Sequence, residues 1–227
     1  MKQQNFFSEY EGLLPLFPLP SVVFFPYTFL PLHIFEPRYK QMVIDAAETD
    51  GLIGMVLLKS GWEDQYYGNP PVHETACMGQ VFRTEVLPDV NFNVLLYGIK
   101  RLQIQSLNFE KPYQRAKVQV IEENASRLSL RKENEIRRQI VERLNQILVQ
   151  PLWGFSAFSA PHLDLGIFMD FIAFSFPFHP SQKQIILETI NLEKRGANLI
   201  KVLDQEKEKG KRSRMKALPF LHELAKN

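Results

Sequence analysis

The chain has 227 residues, 45% of them hydrophobic, with 11 glycines and 15 prolines, which is enough for one large or two small domains with a real core. A formal net charge of +2 creates no strong field toward nucleic acid or an anionic membrane, and the single cysteine, Cys77, excludes an internal disulfide and suits a reducing compartment. Asp170 and Pro177 interrupt the most apolar late stretch before it reaches transmembrane length, and residues 1–12 carry Glu9 and Glu11 where a signal peptide would be apolar, so a soluble cytoplasmic protein is expected.

Residues 13–39, LLPLFPLPSVVFFPYTFLPLHIFEPRY, are densely apolar and contain six prolines. Each proline fixes its own φ and pushes the residue before it toward extended conformations, so Leu14, Phe17, Leu19, Phe25 and Leu30 are expected in strands or kinks. Proline cannot donate to a ladder, which assigns these strands to edges, bulges or ends. At Pro37 the period changes: Tyr39, Met42, Val43 and Ala46 recur at helical spacing, and a helix is predicted from about Glu36.

Leu52 to Leu58 reads as a buried strand, followed by a polar loop over 60–71. Cys77 to Leu87 is a predicted strand ending in the turn Pro88-Asp89-Val90-Asn91. Phe92, Val94 and Leu96 then alternate with Asn93, Leu95 and Tyr97 until Gly98, where a kink or bulge is expected before Leu102 and Ile104 resume the alternation. Ala116, Val118 and Val120 mark the last strand. Several short strands, one early helix and a proline-broken edge predict a small, strongly bent barrel or sandwich.

From about Arg127 the period is helical. Ile136, Ile140, Leu144, Ile147 and Leu148 share one face, while Glu133, Arg137, Arg138 and Glu142 are expected to face water, and Pro151 ends the helix. Further helices are predicted over about 162–175, from Ser181 with Gln184 as a capping-box partner, and from an Asn191 cap to about Lys209. The expected division is a β-rich subdomain over 10–123, an α-helical bundle over 127–209, and a basic tail over 210–227 in which Leu218, Phe220, Leu221 and Leu224 form a short amphipathic helix.

The opening segment resembles the substrate-binding (N-terminal) domain of Lon proteases. Leu14-Pro15-Leu16-Phe17-Pro18-Leu19, Val23-Phe24-Phe25-Pro26 and the run from Leu30 through Phe35-Glu36-Pro37-Arg38-Tyr39 match its hallmark in order. Asn69-Pro70-Pro71, Gly98-Ile99-Lys100-Arg101 and the late run Gln184 to Arg195 are similar to further steps of that pattern. The family usually has glycine where this chain has Tyr27, so that turn is expected to differ locally; Val90-Asn91 and Asn191 are further departures. The resemblance spans about 13–208 and implies an α+β fold, a PUA-like bent β-barrel with one early helix joined to a C-terminal helical bundle. It also implies a polypeptide-binding module.

A complete Lon protease carries ATPase and serine-lysine protease domains as well, which 227 residues do not accommodate. No phosphate-loop motif occurs, and Gly210-Lys211 lacks its glycine spacing. His33, His73, His162, His179 and His222 are scattered without metal-ligand spacing, and His73 with Cys77 would lie more than about 10 Å apart in an extended segment. Neither catalysis nor a cofactor nor a metal is expected.

The candidate peptide-binding residues are the aromatics in surplus to core needs: Phe24, Phe25, Tyr27 and Phe29, with Trp62, Tyr66 and Tyr67 in the polar loop. Glu36, Arg38 and Arg101 are expected to form a structural polar cluster holding the first helix against the sheet. The expected partners are unfolded or extended polypeptide segments, with a separate ATPase-protease left open. Nucleic acid is not expected, because no aromatic residue interleaves with the basic run over 207–216. An RNA-associated or small-molecule-binding PUA-like protein is the alternative, resting on fold analogy alone.

Overall fold

The computed structural model describes residue 10 and residues 12–123, 128–147 and 163–208. These contain six strands, β1 (Leu13–Leu19), β2 (Phe29–Ile34), β3 (Leu52–Leu57), β4 (Thr75–Val86), β5 (Phe92–Asn108) and β6 (Arg115–Ile121). They also contain five helices, α1 (Pro37–Ala47), α2 (Leu130–Ile147), α3 (Leu165–Ser175), α4 (Pro180–Glu188) and α5 (Leu192–Glu208), and one 3-10 turn at Glu63–Gln65. The fold class is α+β. Two compact units emerge: Met1–Glu122 with His179–Leu187, and Glu123–Phe178 with Glu188–Asn227. The tail beyond Glu208, including most of the basic run and the Leu218–Leu224 helix expectation, lies outside the described residues, as do Pro151 and the start of the 162–175 helix expectation.

In the first unit the strand order is β2-β5-β4-β3-β1-β6, and an additional β5–β6 pairing closes five of the strands into a barrel. β1 and β3 run parallel; all other pairs are antiparallel. Closure is possible because β5 is long. Its first half pairs with β2 and β4, and its second half with β4 and β6. Alternation along the strands sends Leu14, Leu16, Leu52, Val56, Ala76, Met78, Leu102, Ala116 and Val118 into the barrel core. Removing their apolar surface from water, at about 25 cal/mol per Å², is the main drive for closure.

Helix α1 begins as the pattern requires. Glu36 is its extended N-cap, Pro37 sits in the first turn, and Tyr39, Met42, Val43 and Ala46 are buried. The Tyr39 ring meets Phe17 of β1 at a centroid distance of 4.4 Å, which joins helix to barrel. Two register shifts interrupt the β4–β5 ladder, leaving Ile99 as an extra residue on β5 and Phe82 as an extra residue on β4. The expected irregularity at Gly98 is thus a bulge one residue further on.

Tyr27 has φ +61°, in the left-handed region where glycine is at ease. Tyrosine here occupies backbone that suits glycine. The Tyr27 N–H donates to the Gly98 carbonyl at 2.8 Å, and the Gly98 N–H donates to Thr28 at 2.9 Å. Val90, in the β4–β5 turn, has φ +59°.

Arg101 departs from expectation. It is fully buried and its Nε donates to the Leu187 carbonyl at the end of α4, at 2.9 Å, so it does not join Glu36 and Arg38. Gln184, expected as a capping-box partner, is buried and donates to the Thr75 carbonyl. The α4 start is instead bound by Gln182, whose Oε1 accepts from the His179 N–H at 3.0 Å.

In the second unit, α2, α3 and α5 pack through Ile136, Ile140, Leu144, Phe168, Met169, Leu199 and Leu203, all buried. Asp164 caps α3 by accepting from the Ile167 N–H, and Asn191 caps α5 through the Lys194 N–H. Arg137, expected in water, is buried over the Phe168 ring and donates to the Leu163 carbonyl. Arg195 is fully buried, and its guanidinium meets Asp170, Glu123 and the carbonyls of Thr189 and Ile190.

Candidate functional site

The first half of β5 carries β2 on one side and the second half of β4 on the other, a three-stranded leaf that the barrel closure leaves out. Leu30, Leu96, Val94, Phe92 and Ile34 are buried on one face. The opposite face belongs to the odd-numbered residues of β2 and β5: Phe29 opposite Tyr97, Pro31 opposite Leu95, and His33 opposite Asn93.

On that face three aromatic rings gather. Phe29 lies 4.9 Å from Tyr97 and 5.3 Å from Phe82, centroid to centroid, the latter edge to face. Phe82 reaches Phe29 because it is the bulged residue of β4, and it remains 67% exposed. Tyr27 joins this neighbourhood at 50% exposure; burial and the nearby Tyr27 phenol both push the Tyr97 hydroxyl above its ordinary pKa. The result is an aromatic shelf on a strand scaffold, with Phe82 and Tyr27 exposed and Phe29 and Tyr97 half-buried.

Six residues of β2, about 20 Å at strand rise, lead from the shelf to a second aromatic group around Arg38. Arg38 Nε donates to Glu36 Oε2 at 3.1 Å and Nη1 to the Tyr66 carbonyl at 2.8 Å. Its guanidinium carbon lies 4.6 Å from the Tyr39 ring centroid, 4.8 Å from Tyr66 and 5.9 Å from Tyr67. The Tyr66 hydroxyl donates to Glu36 Oε1 at 2.6 Å; burial, and then this bond, push its pKa up. Trp62 and Tyr66 pack edge to face and lean on the barrel core, whereas Tyr67 is 90% exposed. Glu36 and Arg38 therefore pin the 60–71 loop to the start of α1.

The sequence-predicted residues separate accordingly. Tyr27 and Phe29 meet on the shelf, Trp62, Tyr66 and Tyr67 form the loop group, and Phe24 and Phe25 are corrected to core residues at 1% and 0% exposure. They fill the base of the leaf because the chain folds back under β5: the Phe25 carbonyl lies directly over Gly98. Phe82 and Tyr97 are not among the residues that the sequence singles out for binding. Phe82 sits where the alternation of β4 slips by one residue, a signal that pattern reading passes over. Cys77 is fully buried, and among the described residues no group of three or more His, Cys, Asp or Glu is placed to hold a metal ion. No helix among them is long and apolar enough to cross a membrane.

Comparison with known proteins bears on this geometry. The family described as "ATP-dependent protease La (LON) substrate-binding domain" matches residues 13–205. A Lon protease of Dictyoglomus thermophilum is 26% identical over 212 residues, covering 91% of this chain and 26% of that protein. Lon protease 2 of Myxococcus xanthus is 23% identical over 202 residues, 86% of this chain and 24% of that protein. The chain thus spans about a quarter of the length of these curated relatives. Among solved structures, a Lon N-terminal domain protein from Xanthomonas campestris aligns with a TM-score of 0.60 at 23% identity, covering 84% of this chain and 98% of that one. The N-terminal domain of a Mycobacterium avium complex Lon protease aligns at 0.68 with 13% identity, covering 85% and 98%. These two likenesses establish the fold.

Proposed function

Because this chain belongs to the Lon (protease La) substrate-binding domain family, we propose that it is a non-catalytic module that holds exposed apolar segments of unfolded or extended polypeptides on the leaf. The observation that carries the reading is the Phe29–Tyr97–Phe82 shelf, with Phe82 largely exposed. A monomeric fold keeps such aromatic surface in water only at a cost in free energy, and aromatic anchors on a rigid element are what polypeptide recognition uses. Tyr27 extends the shelf, and Tyr67 with Trp62 and Tyr66 offers a second contact further along. Charges beside the shelf on β4 are of both signs, Arg83 and Glu85, unlike the cationic groove that tracks a nucleic-acid backbone.

The proposal assigns the protein to the cytoplasm, with the single buried Cys77 thiol as support. A separate ATPase-protease is the kind of partner that would act on what the module holds. The test is a fluorescence-anisotropy titration with a labelled, phenylalanine-containing unfolded peptide. Saturable binding is expected, and Phe82→Ala, at an exposed position, is expected to weaken it about fivefold with an unchanged melting temperature. Absence of a saturable signal up to millimolar protein would overturn the reading.

A further inference from the structure

We propose that the client polypeptide adds to the open side of β2 as a further, antiparallel strand, in a register governed by Pro31. The inference rests on the polypeptide-binding reading and specifies how the main chain is recognised.

Ladder parity identifies the groups involved. The Gly98 N–H donates to the Thr28 carbonyl, which makes Phe29–Tyr97, Pro31–Leu95 and His33–Asn93 the non-hydrogen-bonded pairs of the β2–β5 ladder and leaves Leu30, Leu32 and Ile34 to exchange bonds with β5. The carbonyl of Pro31 and the N–H and carbonyl of His33 therefore point to the other side of β2. Among the described residues no strand lies there, and both residues are exposed. Their side chains share the shelf face with Phe29, so a strand bonded to these groups lays every second side chain on that face.

A second copy of β2 is the obvious rival occupant, and Pro31 disfavours it. Edge-facing residues must oppose edge-facing residues, so a two-fold antiparallel pairing places Pro31 opposite Pro31, His33 or Phe29. Each of these registers loses two main-chain bonds, because both copies lack the proline N–H. A foreign strand loses only one. Proline at an edge is a known guard against self-pairing, and here it leaves the acceptor of residue 31 available to a strand that brings its own donor.

The experiment uses the full chain and a fluorescein-labelled eight-residue peptide alternating phenylalanine and threonine. In an antiparallel ladder, phenylalanines on the shelf direct their own N–H groups at β2. Methylating the main-chain nitrogen of every phenylalanine is expected to weaken binding at least about tenfold, whereas methylating every threonine nitrogen leaves it within about threefold. Parity rather than single positions is compared, so slippage by two residues does not blur the result. Equal or reversed effects of the two modifications would overturn antiparallel strand addition while leaving side-chain binding on the shelf intact; failure of the parent peptide to bind would overturn the functional reading and this inference with it. In Pro31→Val the restored donor is expected to tighten the parent peptide severalfold at protein concentrations where the variant is monomeric, and unchanged affinity would overturn the assigned register.

Discussion

The Phe25 carbonyl oxygen lies so close over Gly98 that a Cβ on residue 98 would overlap it. This contact lets the 25–28 turn cross β5 and deliver Tyr27 and Phe29 to the shelf. Gly98→Ala must push the two backbones apart, at a cost of about 2 kcal/mol or more, which lowers the melting temperature by roughly 4–8 °C for a chain of this size. Differential scanning calorimetry checks it; an unchanged transition would mean that the crossing relaxes freely.

Left-handed backbone at Tyr27 and Val90 separates stability from binding. Val90→Gly relieves a β-branched residue at φ +59° and should stabilise by about 1 kcal/mol without altering peptide affinity. Tyr27→Gly relieves similar strain but deletes a shelf ring, so affinity should fall severalfold while stability holds or rises. Paired melts and titrations of the two variants read the contrast directly.

Arg101 serves the fold. Its buried guanidinium bonds the Leu187 carbonyl, and Arg101→Ala leaves that acceptor unsatisfied beside a cavity, costing about 3 kcal/mol or more. The fraction that remains folded should bind peptide with wild-type affinity. Normal stability combined with lost binding would contradict this.

Asp45 makes stability pH-dependent. Its carboxylate accepts from the Tyr113 hydroxyl and the Gln41 amide, each at 2.6 Å, and lies 3.2 Å from Lys111 Nζ; the Tyr113 bond leads in holding its pKa below the ordinary value. A carboxyl depressed in the folded state adds stability above the unfolded pKa of about 4 and loses it as pH falls through the lower folded value. Tyr113→Phe should therefore melt below wild type at pH 6, with the gap narrowing in melts taken at progressively lower pH below about 4. A gap that stays constant with pH would remove Asp45 from the explanation.

Periodicity carried most of the architecture. Tyr39, Met42, Val43 and Ala46 announced α1, and the alternation of Phe92, Val94 and Leu96 announced the buried face of β5, because both record one-sided burial. Bulges erased the same signal for Phe82, which is why half of the shelf was hidden. Phe24 and Phe25 misled because composition says how many aromatics a chain has and not which of them the 25–28 turn folds under β5. Arg101 and Gln184 reach across 86 and 109 residues to Leu187 and Thr75, distances at which local pattern is silent.

β5 runs unbroken from leaf to barrel wall, with no hinge loop between them. A tug on a captured chain would load the leaf along its strands, and tension would pass through the covalent backbone of β5 into the closed barrel. Main-chain bonds pulled lengthwise resist together, whereas bonds peeled from one end fail in succession. A client gripped along β2 would thus be released more readily by lifting one end than by hauling along its length.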